Sequence, residues 1–521
     1  MSPVLPVSPV LPVTPVPPVF PILLHDILDA AARRAPHAPA VTVAGRTRSY
    51  AELQDASHAV AGWLAARGVR RGDRVVLAAP VHPIHVPFVY ACSRIGAVFV
   101  ILHEQVAGRG LVHVLDDAEP ALLIADSPAA RRIARERGLP VVSCADAERE
   151  SAAEREPAAA PAATPATPEV TPLSVDPVCF IYTSGSTGLP KAVVSTHGQV
   201  LFAARAIQSQ LGYRAGDVVY SPLPLSFDYG LYQLFLAALG GAAVHVGTAA
   251  DAGPALLRGL RLSGATILAA VPSLAASLAL LLDRWGGTVP LRLLTNTGAA
   301  MPGRTLDILR KHLPELTVQL MFGLTECKRV SIMPPDEDLR RPGSCGRPLP
   351  GTEVLVVDDD GVPVPAGTVG ELVVRGPHVM AGYWRRPDLT AQRFRRVEGL
   401  LPQLHTGDYG WLDADGYLYF SGRRDDIYKS RGFRVSATEV EAAALRVAGV
   451  RAAAVVPPAG ERSDAVLYAV TSLCPDEVLE RLRTEIEPYK VPGRCVVLDT
   501  LPLTANGKTD KLALAALADG S

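Results

Sequence analysis

Apolar positions along this chain alternate between two rhythms. From Ser49 the spacing is helical: Leu53, Ala56, Val60 and Leu64 recur every three or four residues, and Ser49 with Glu52 forms a Ser-x-x-Glu capping box at the start. Gly72-Asp73 then turns into an apolar run at residues 75–79, read as a buried strand, followed by a helix over about 85–95 and a strand at 97–102. Alternation of this kind predicts a largely parallel sheet with helices on its faces. The rhythm resumes at 178–182, a strand that ends in hydroxyls and glycines. A helix beginning near His197 carries Val200, Ala204, Ile207 and Leu211 on one face. Short strands at 218–222, 242–246, 266–271 and 291–295 then alternate with helices, one of which starts near Tyr229.

Near residue 350 the pattern changes. Runs at 354–357 and 371–375 have strand character around an Asp359-Asp360-Gly361 turn, which predicts antiparallel β structure. Gly422-Arg423-Arg424-Asp425-Asp426 is short, polar and flanked by strand-like runs, and is the expected interdomain joint, with its hinge at Asp425. Beyond it Ser436 and Glu439 form a second capping box ahead of Val440, Ala443, Ala444 and Val447. About 95 residues remain there, enough for a small α+β domain. The expected division is a large domain at 22–424 and a small one at 425–521. Two stretches carry no expected element. Residues 1–21 alternate Pro and Val and read as a poorly ordered, polyproline-II-like tail, lacking the n-region and continuous apolar core of a signal peptide. Residues 146–170 are low-complexity Ala, Pro, Glu and Thr and read as a flexible surface loop.

Composition narrows the classes. A chain of 521 residues exceeds one compact core, and 48% hydrophobic with 20% charged residues describes a soluble globular protein. A net charge of −1 gives no argument for nucleic acid or an anionic membrane. The seven cysteines have no metal-ligand spacing and read as reduced thiols in a cytoplasm. Every apolar run is interrupted before it reaches the length of a membrane span.

The densest chemistry lies between the strand at 178–182 and the helix at His197. Thr183, Ser184, Ser186 and Thr187 offer hydroxyl donors, Gly185 and Gly188 let backbone N–H groups turn towards an anion, and Lys191 adds a cation. Such a loop suits a polyphosphate. It is not a Walker A loop, because Pro190 precedes Lys191 and Ala192 follows it, leaving no hydroxyl for magnesium. Phe180–Lys191 instead resembles the phosphate loop of the AMP-forming adenylating superfamily, which includes acyl-CoA ligases, luciferases and the adenylation domains of nonribosomal peptide synthetases.

Further motifs follow in that superfamily's order. Phe322-Gly323-Leu324-Thr325-Glu326 resembles its second signature, which implies that Phe322 faces adenine, Thr325 meets the α-phosphate and Glu326 holds Mg²⁺. His405-Thr406-Gly407-Asp408 and Gly422-Arg423 resemble the ribose-binding pair, Asp408 and Arg423. Residues 501–508, ending Asn506-Gly507-Lys508, resemble the last motif, whose lysine completes the adenylation site. The same resemblance implies nucleotide contact at Gly298 and substrate contact at Tyr232 and Thr297. It covers roughly residues 23–515. It implies a large α/β domain with mixed or parallel sheets and a β-barrel-like part, a small mobile C-terminal domain, and ATP and Mg²⁺ as cofactors. One departure is residues 99–103, where peptide synthetase domains usually carry Pro and Asp.

Substrate class is expected at two places. In peptide synthetase adenylation domains an Asp at the position of Asp228 pairs with the substrate's amino group; the plainer alternative is a cap on the helix starting near Tyr229. Lys328 and Arg329 follow Glu326 on the segment that lines the acyl pocket in relatives. They read either as a solvated pair or as a site for a second substrate carboxylate. With Asp228 they resemble stand-alone enzymes that load β-amino acids, some aspartate-like, onto separate carrier proteins. The expected activity is therefore ATP-dependent adenylation of an amino acid, such as 3-methylaspartate, followed by transfer to a carrier's phosphopantetheine thiol. An acyl- or aryl-CoA ligase is the alternative. No nucleic-acid or membrane partner is expected.

Overall fold

The structure, a computed structural model, describes residues 22–153, 171–183, 190–397, 399–423, 427–430, 433–458, 464–486, 488, 490–504 and 509–519. Two large sheets form its bulk. One has seven strands in the order Gly382–Tyr383, Lys191–Thr196, Pro177–Thr183, Val98–Ile101, Arg74–Ala78, Leu122–Ala125, Val141–Val142. The other has nine, and its centre is wholly parallel: Pro39–Val43, Ala243–Val246, Val218–Ser221, Ile267–Ala270, Leu293–Asn296 and Thr317–Phe322. Strands covered on both faces need apolar side chains at every position, which is why these appear in the sequence as short unbroken runs.

The expected helices are present. Tyr50–Ala66 starts at the Ser49 cap, where Glu52 N donates to Ser49 Oγ at 3.3 Å and Ser49 N donates to Glu52 Oε2 at 2.7 Å. The second capping box is only half made. Glu439 N donates to Ser436 Oγ at 3.4 Å, but Glu439 reaches Lys490 Nζ, and the Ser436 hydroxyl donates to the Ser421 carbonyl.

Two readings need correction. The phosphate-loop region is not strand, loop and helix: a second strand, Lys191–Thr196, folds back antiparallel on Pro177–Thr183, with Thr183 opposite Lys191, before the helix His197–Leu211 begins. Its run Ala192-Val193-Val194 is buried and favours a strand. Second, the expected loop at 146–170 opens as part of a helix, Cys144–Ala153. Ala147 and Ser151 are buried at helical spacing, Glu148 accepts from both Arg46 and Arg48 at 2.7 Å, and Glu150 accepts from Trp63 Nε1 at 3.1 Å. Tertiary contacts supplied by distant residues hold this segment, which composition alone could not signal.

From residue 353 to 423 the strands pair antiparallel, as expected, whereas in the C-terminal part Val466–Thr471 and Arg494–Val497 pair parallel. Glu353–Val357, Gly370–Arg375, Gln403–Leu412 and Phe394–Arg395 form one sheet, and Leu418–Arg423 pairs with Gln403–Leu412. The C-terminal part has its own apolar cluster, with Val435, Val440, Ala444, Val455 and Leu467 at its centre. It packs the helix Ala437–Arg446 on the sheet Val450–Val456, Val466–Thr471, Arg494–Val497. The tail at 1–21 and the hinge residue Asp425 lie outside the described residues. All seven cysteines are free. Among the described residues no helix is long and apolar enough to cross a membrane.

Candidate active site

In open parallel sheets, ligands bind beyond the carboxyl ends of the strands. Here the ends of Leu293–Asn296 and Thr317–Phe322 deliver Thr297-Gly298 and Phe322–Glu326 to that edge. Gly298 adopts φ 96°, a left-handed conformation open to glycine. Phe322 packs against Phe420 with ring centroids 5.3 Å apart. The turn that follows is tight. A Cβ on Gly323 would lie 2.2 Å from the Lys328 carbonyl oxygen, and Lys328 itself has φ 65°. Only glycine at 323 lets the chain double back, and doubling back carries Thr325 and Glu326 past the strand end while turning Lys328 and Arg329 inward.

Glu326 is anchored on one side. Its Oε1 accepts from the Tyr383 hydroxyl at 2.6 Å, and its carbonyl accepts from Met380 N at 2.9 Å. Lys191 Nζ stands 4.0 Å from the centroid of the Tyr383 ring. Burial lowers the Lys191 pKa, Glu326 opposes that shift, and Arg393 and Arg423 add to it. Thr183, opposite Lys191, keeps a buried hydroxyl with no hydrogen-bond partner among the described residues. Ser184, Gly185, Ser186, Thr187 and Gly188 lie outside them, as do Lys508 and Gly432 of the small domain. Asp408 and Arg423 are cross-strand partners, with Arg423 Nε 3.2 Å from Asp408 Oδ1; Asp408 is buried and Arg423 exposed. Sequence reasoning placed those two correctly together. It missed Tyr383 and Arg393, whose relation to the site is purely tertiary: Tyr383 is 57 positions from the carboxylate it holds.

The second group of predicted residues lies deeper. Asp228 opens the helix Asp228–Gly240 as its first residue, while Phe227 occupies the cap position and no side chain caps the helix. The capping alternative is therefore excluded. Asp228 is 4% exposed and has no hydrogen-bond or ion-pair partner among the described residues. Gly230 lets this helix start press close, since a Cβ there would lie 2.5 Å from the Pro224 carbonyl oxygen.

Lys328 and Arg329 are not the solvated pair that adjacent surface cations would form. Lys328 is 1% exposed and donates to the Thr325 carbonyl at 3.0 Å; Arg329 is 4% exposed and donates to the Lys328 carbonyl at 2.6 Å. Arg329 also lies 4.9 Å over the Tyr229 ring, and its Nε is buried without a partner. Neither has a carboxylate within ion-pair distance among the described residues. Burial raises the pKa of Cys179, and Lys328 and Asp228 act on it in opposite directions, downward and upward. Tyr232 and Thr297 are also buried; Lys328 Nζ lies 5.9 Å from the Tyr232 ring centroid, and the Tyr232 hydroxyl has no hydrogen-bond partner among the described residues.

Three buried charges without an ion-pair partner among the described residues carry a desolvation cost that a structure normally avoids. A bound ligand with complementary charges would relieve it. The nucleotide-side residues likewise suit the groups expected there. Among the described residues Glu326 has one oxygen held by Tyr383 and the other without a partner, and Lys191 has no carboxylate within ion-pair distance.

Comparison with known proteins agrees with this geometry. Residues 28–384 match the family described as AMP-binding enzyme, and residues 439–508 match the AMP-binding enzyme C-terminal domain. The chain is 33% identical over 489 residues to a feruloyl-CoA synthase of Amycolatopsis sp., covering 92% of this chain and 95% of that protein. It is 32% identical over 524 residues to syringomycin synthase SyrB1 of Pseudomonas syringae pv. syringae, covering 96% and 82%. Among solved structures, VinN in complex with L-aspartate is 42% identical with a TM-score of 0.69, covering 77% of this chain and 98% of that one. The o-succinylbenzoate CoA synthetase MenE of Bacillus subtilis, with ATP and a magnesium ion, is 26% identical with a TM-score of 0.80, covering 94% and 99%. The matches over residues 28–384 and 439–508, with a relative 33% identical over 92% of the chain, place the chain in the family of AMP-binding enzymes.

Proposed function

We propose that the chain activates an aspartate-like amino acid, such as 3-methylaspartate, with ATP and passes it to the phosphopantetheine thiol of a separate carrier protein. The observation that carries this reading is a set of buried charges with no ion pair among the described residues: Asp228 against Lys328 and Arg329. An amino acid with a second carboxylate supplies one ammonium for Asp228 and one carboxylate for the two cations, leaving its other carboxylate to react. A fatty or aryl acid would leave all three charges unmet. The VinN complex with L-aspartate supports an amino-acid substrate. The feruloyl-CoA synthase likeness keeps a CoA-forming ligase as the alternative.

The chemistry asks little of acid–base groups, because the reacting carboxylate is already ionised. One carboxylate oxygen attacks the α-phosphorus of ATP, the bond to the β-phosphate oxygen breaks, and pyrophosphate leaves with an acyl-adenylate behind it. Thr325 and Lys508 stand by resemblance at the α-phosphate, Lys191 at the phosphates, and Asp408 with Arg423 at the ribose. Mg²⁺, which Glu326 would hold, supplies neutralisation of phosphate charge. Positioning and charge stabilisation are then the whole of the catalysis. In the second half-reaction a thiol attacks the acyl carbon and AMP leaves; the resemblance implies that the small domain then turns about Asp425 and brings the loop around Gly432 to face the thiol.

Intact-mass analysis of acceptors tests this. With ATP, Mg²⁺ and aspartate, a phosphopantetheine-bearing carrier protein should gain an aspartyl group and CoA should not. Loading of benzoate or octanoate onto CoA, with no aminoacyl product, would reject the reading.

A further inference from the structure

Tyr383 touches both halves of the phosphate end of the site. Its hydroxyl donates to Glu326 Oε1 at 2.6 Å, and its ring lies 4.0 Å beneath Lys191 Nζ. The ring is held from several directions. Tyr383 pairs in register with Val193, two residues beyond Lys191, and its N–H donates to Thr390 Oγ1 at 3.0 Å. Phe394 meets it edge-on at 5.4 Å, and the neighbouring Trp384 donates from Nε1 to the Asp117 carbonyl at 3.0 Å.

These contacts have different consequences. A hydroxyl on one oxygen of Glu326 fixes the rotation of the carboxylate and leaves Oε2 for a cation. A ring face attracts the Lys191 ammonium without taking its N–H donors, so these remain free for phosphate oxygens. Arg393 stands on the same side: its Nη1 donates to the His405 carbonyl at 3.1 Å, no carboxylate lies within ion-pair distance among the described residues, and a Cβ on Gly407 would lie 2.4 Å from it.

We propose that Tyr383 is a positioning residue that sets Glu326 for Mg²⁺ and presents Lys191 to the departing pyrophosphate, with Arg393 as a further cation for the same phosphates. This rests on the nucleotide reading given above but not on the identity of the acid. The two parts of Tyr383 therefore have separable roles: the hydroxyl serves the metal side and the ring serves the ammonium.

Calorimetric binding of ATP, with and without Mg²⁺ and with no acid present, separates them. In Tyr383→Phe the tightening of ATP by Mg²⁺ should fall about tenfold, the usual scale of a lost hydrogen bond to a charge, while metal-free ATP binds as in the wild type. In Tyr383→Leu and in Arg393→Met, metal-free ATP should also weaken by several-fold, whereas AMP, which lacks the outer phosphates, should bind unchanged. A merely structural role would weaken AMP as well, and the melting temperature of each free variant identifies any that fails to fold; Tyr383→Phe then decides alone. A full Mg²⁺ effect in Tyr383→Phe, alongside its loss in Glu326→Gln, overturns the positioning role. A full effect in both variants overturns the metal assignment of Glu326 and the inference with it.

Discussion

Asp228 and Lys328 are both buried and act in opposite directions on the Cys179 thiol, yet form no ion pair with each other. Lys328 instead sits at φ 65° behind the tight Gly323 turn and donates to the Thr325 carbonyl at 3.0 Å. With Arg329, the two charges complement those of a zwitterion carrying a second carboxylate. Substituting Asp228 by Ala should therefore abolish activation of amino acids, because an ammonium left in the pocket without its partner costs about 3–5 kcal/mol, roughly two to four decades. Pyrophosphate exchange with aspartate and with its des-amino analogue, succinate, checks this: the variant should lose its preference for the amine, and an undiminished preference contradicts the assignment.

Lys328→Met and Arg329→Met address the second carboxylate. Whichever cation meets it, its loss should weaken aspartate by about tenfold or more and leave 3-aminobutyrate within a few-fold of the wild type. Equal loss for both substrates would mean that the cation only supports the pocket. The orphaned Nε of Arg329 makes it the stronger candidate for a direct contact.

Lys508→Ala should reduce adenylation by about two to three decades, the scale of one lost donor at a developing charge, while transfer from a presynthesised adenylate continues. Asp425→Pro should affect the two half-reactions unequally, since fixing φ at a hinge favours one domain pose. Single-turnover measurement of each half-reaction tests both variants. Equal loss in both steps for Lys508→Ala, or wild-type rates in both for Asp425→Pro, would contradict a rotating small domain.

Acid should destabilise the fold before it touches the carboxylates. Burial lowers the pKa of His25, His85, His197 and His378 from 6.5 to about 4. His197 Nδ1 accepts from Leu24 N at 3.1 Å, which requires that nitrogen to be unprotonated. The unfolded chain takes up protons near pH 6.5, whereas the folded one does so only near pH 4. Stability from these residues is complete above pH 6.5, declines between 6.5 and 4, and is flat below. Guanidinium midpoints at pH 7 and pH 5 should differ in that direction; identical midpoints would contradict the neutral burial of these rings.

Much of this was legible where the signal is local. The Phe322–Glu326 turn and the neighbouring Asp408 and Arg423 are signalled by residue type, and the parallel core strands by unbroken apolar runs. What the sequence hid was tertiary. Whether Lys328 and Arg329 are solvated or buried depends on a turn that only the Gly323 contact distances reveal. The helix Cys144–Ala153 is held by Arg46, Arg48 and Trp63, about a hundred positions away, so its composition read as a loop. Tyr383 has no motif of its own, and its contact with Glu326 exists only once the sheet edge has formed.

The central claim is that three buried charges select an aspartate-like amino acid. Its most direct test is kcat/KM in ATP–pyrophosphate exchange for aspartate, 3-methylaspartate, 3-aminobutyrate, alanine, benzoate and octanoate with the wild-type protein. Aspartate or 3-methylaspartate should lead the neutral amino acids by about tenfold or more, with benzoate and octanoate near background. Preference for 3-aminobutyrate or alanine would reject the second carboxylate, and preference for benzoate or octanoate would contradict the account as a whole.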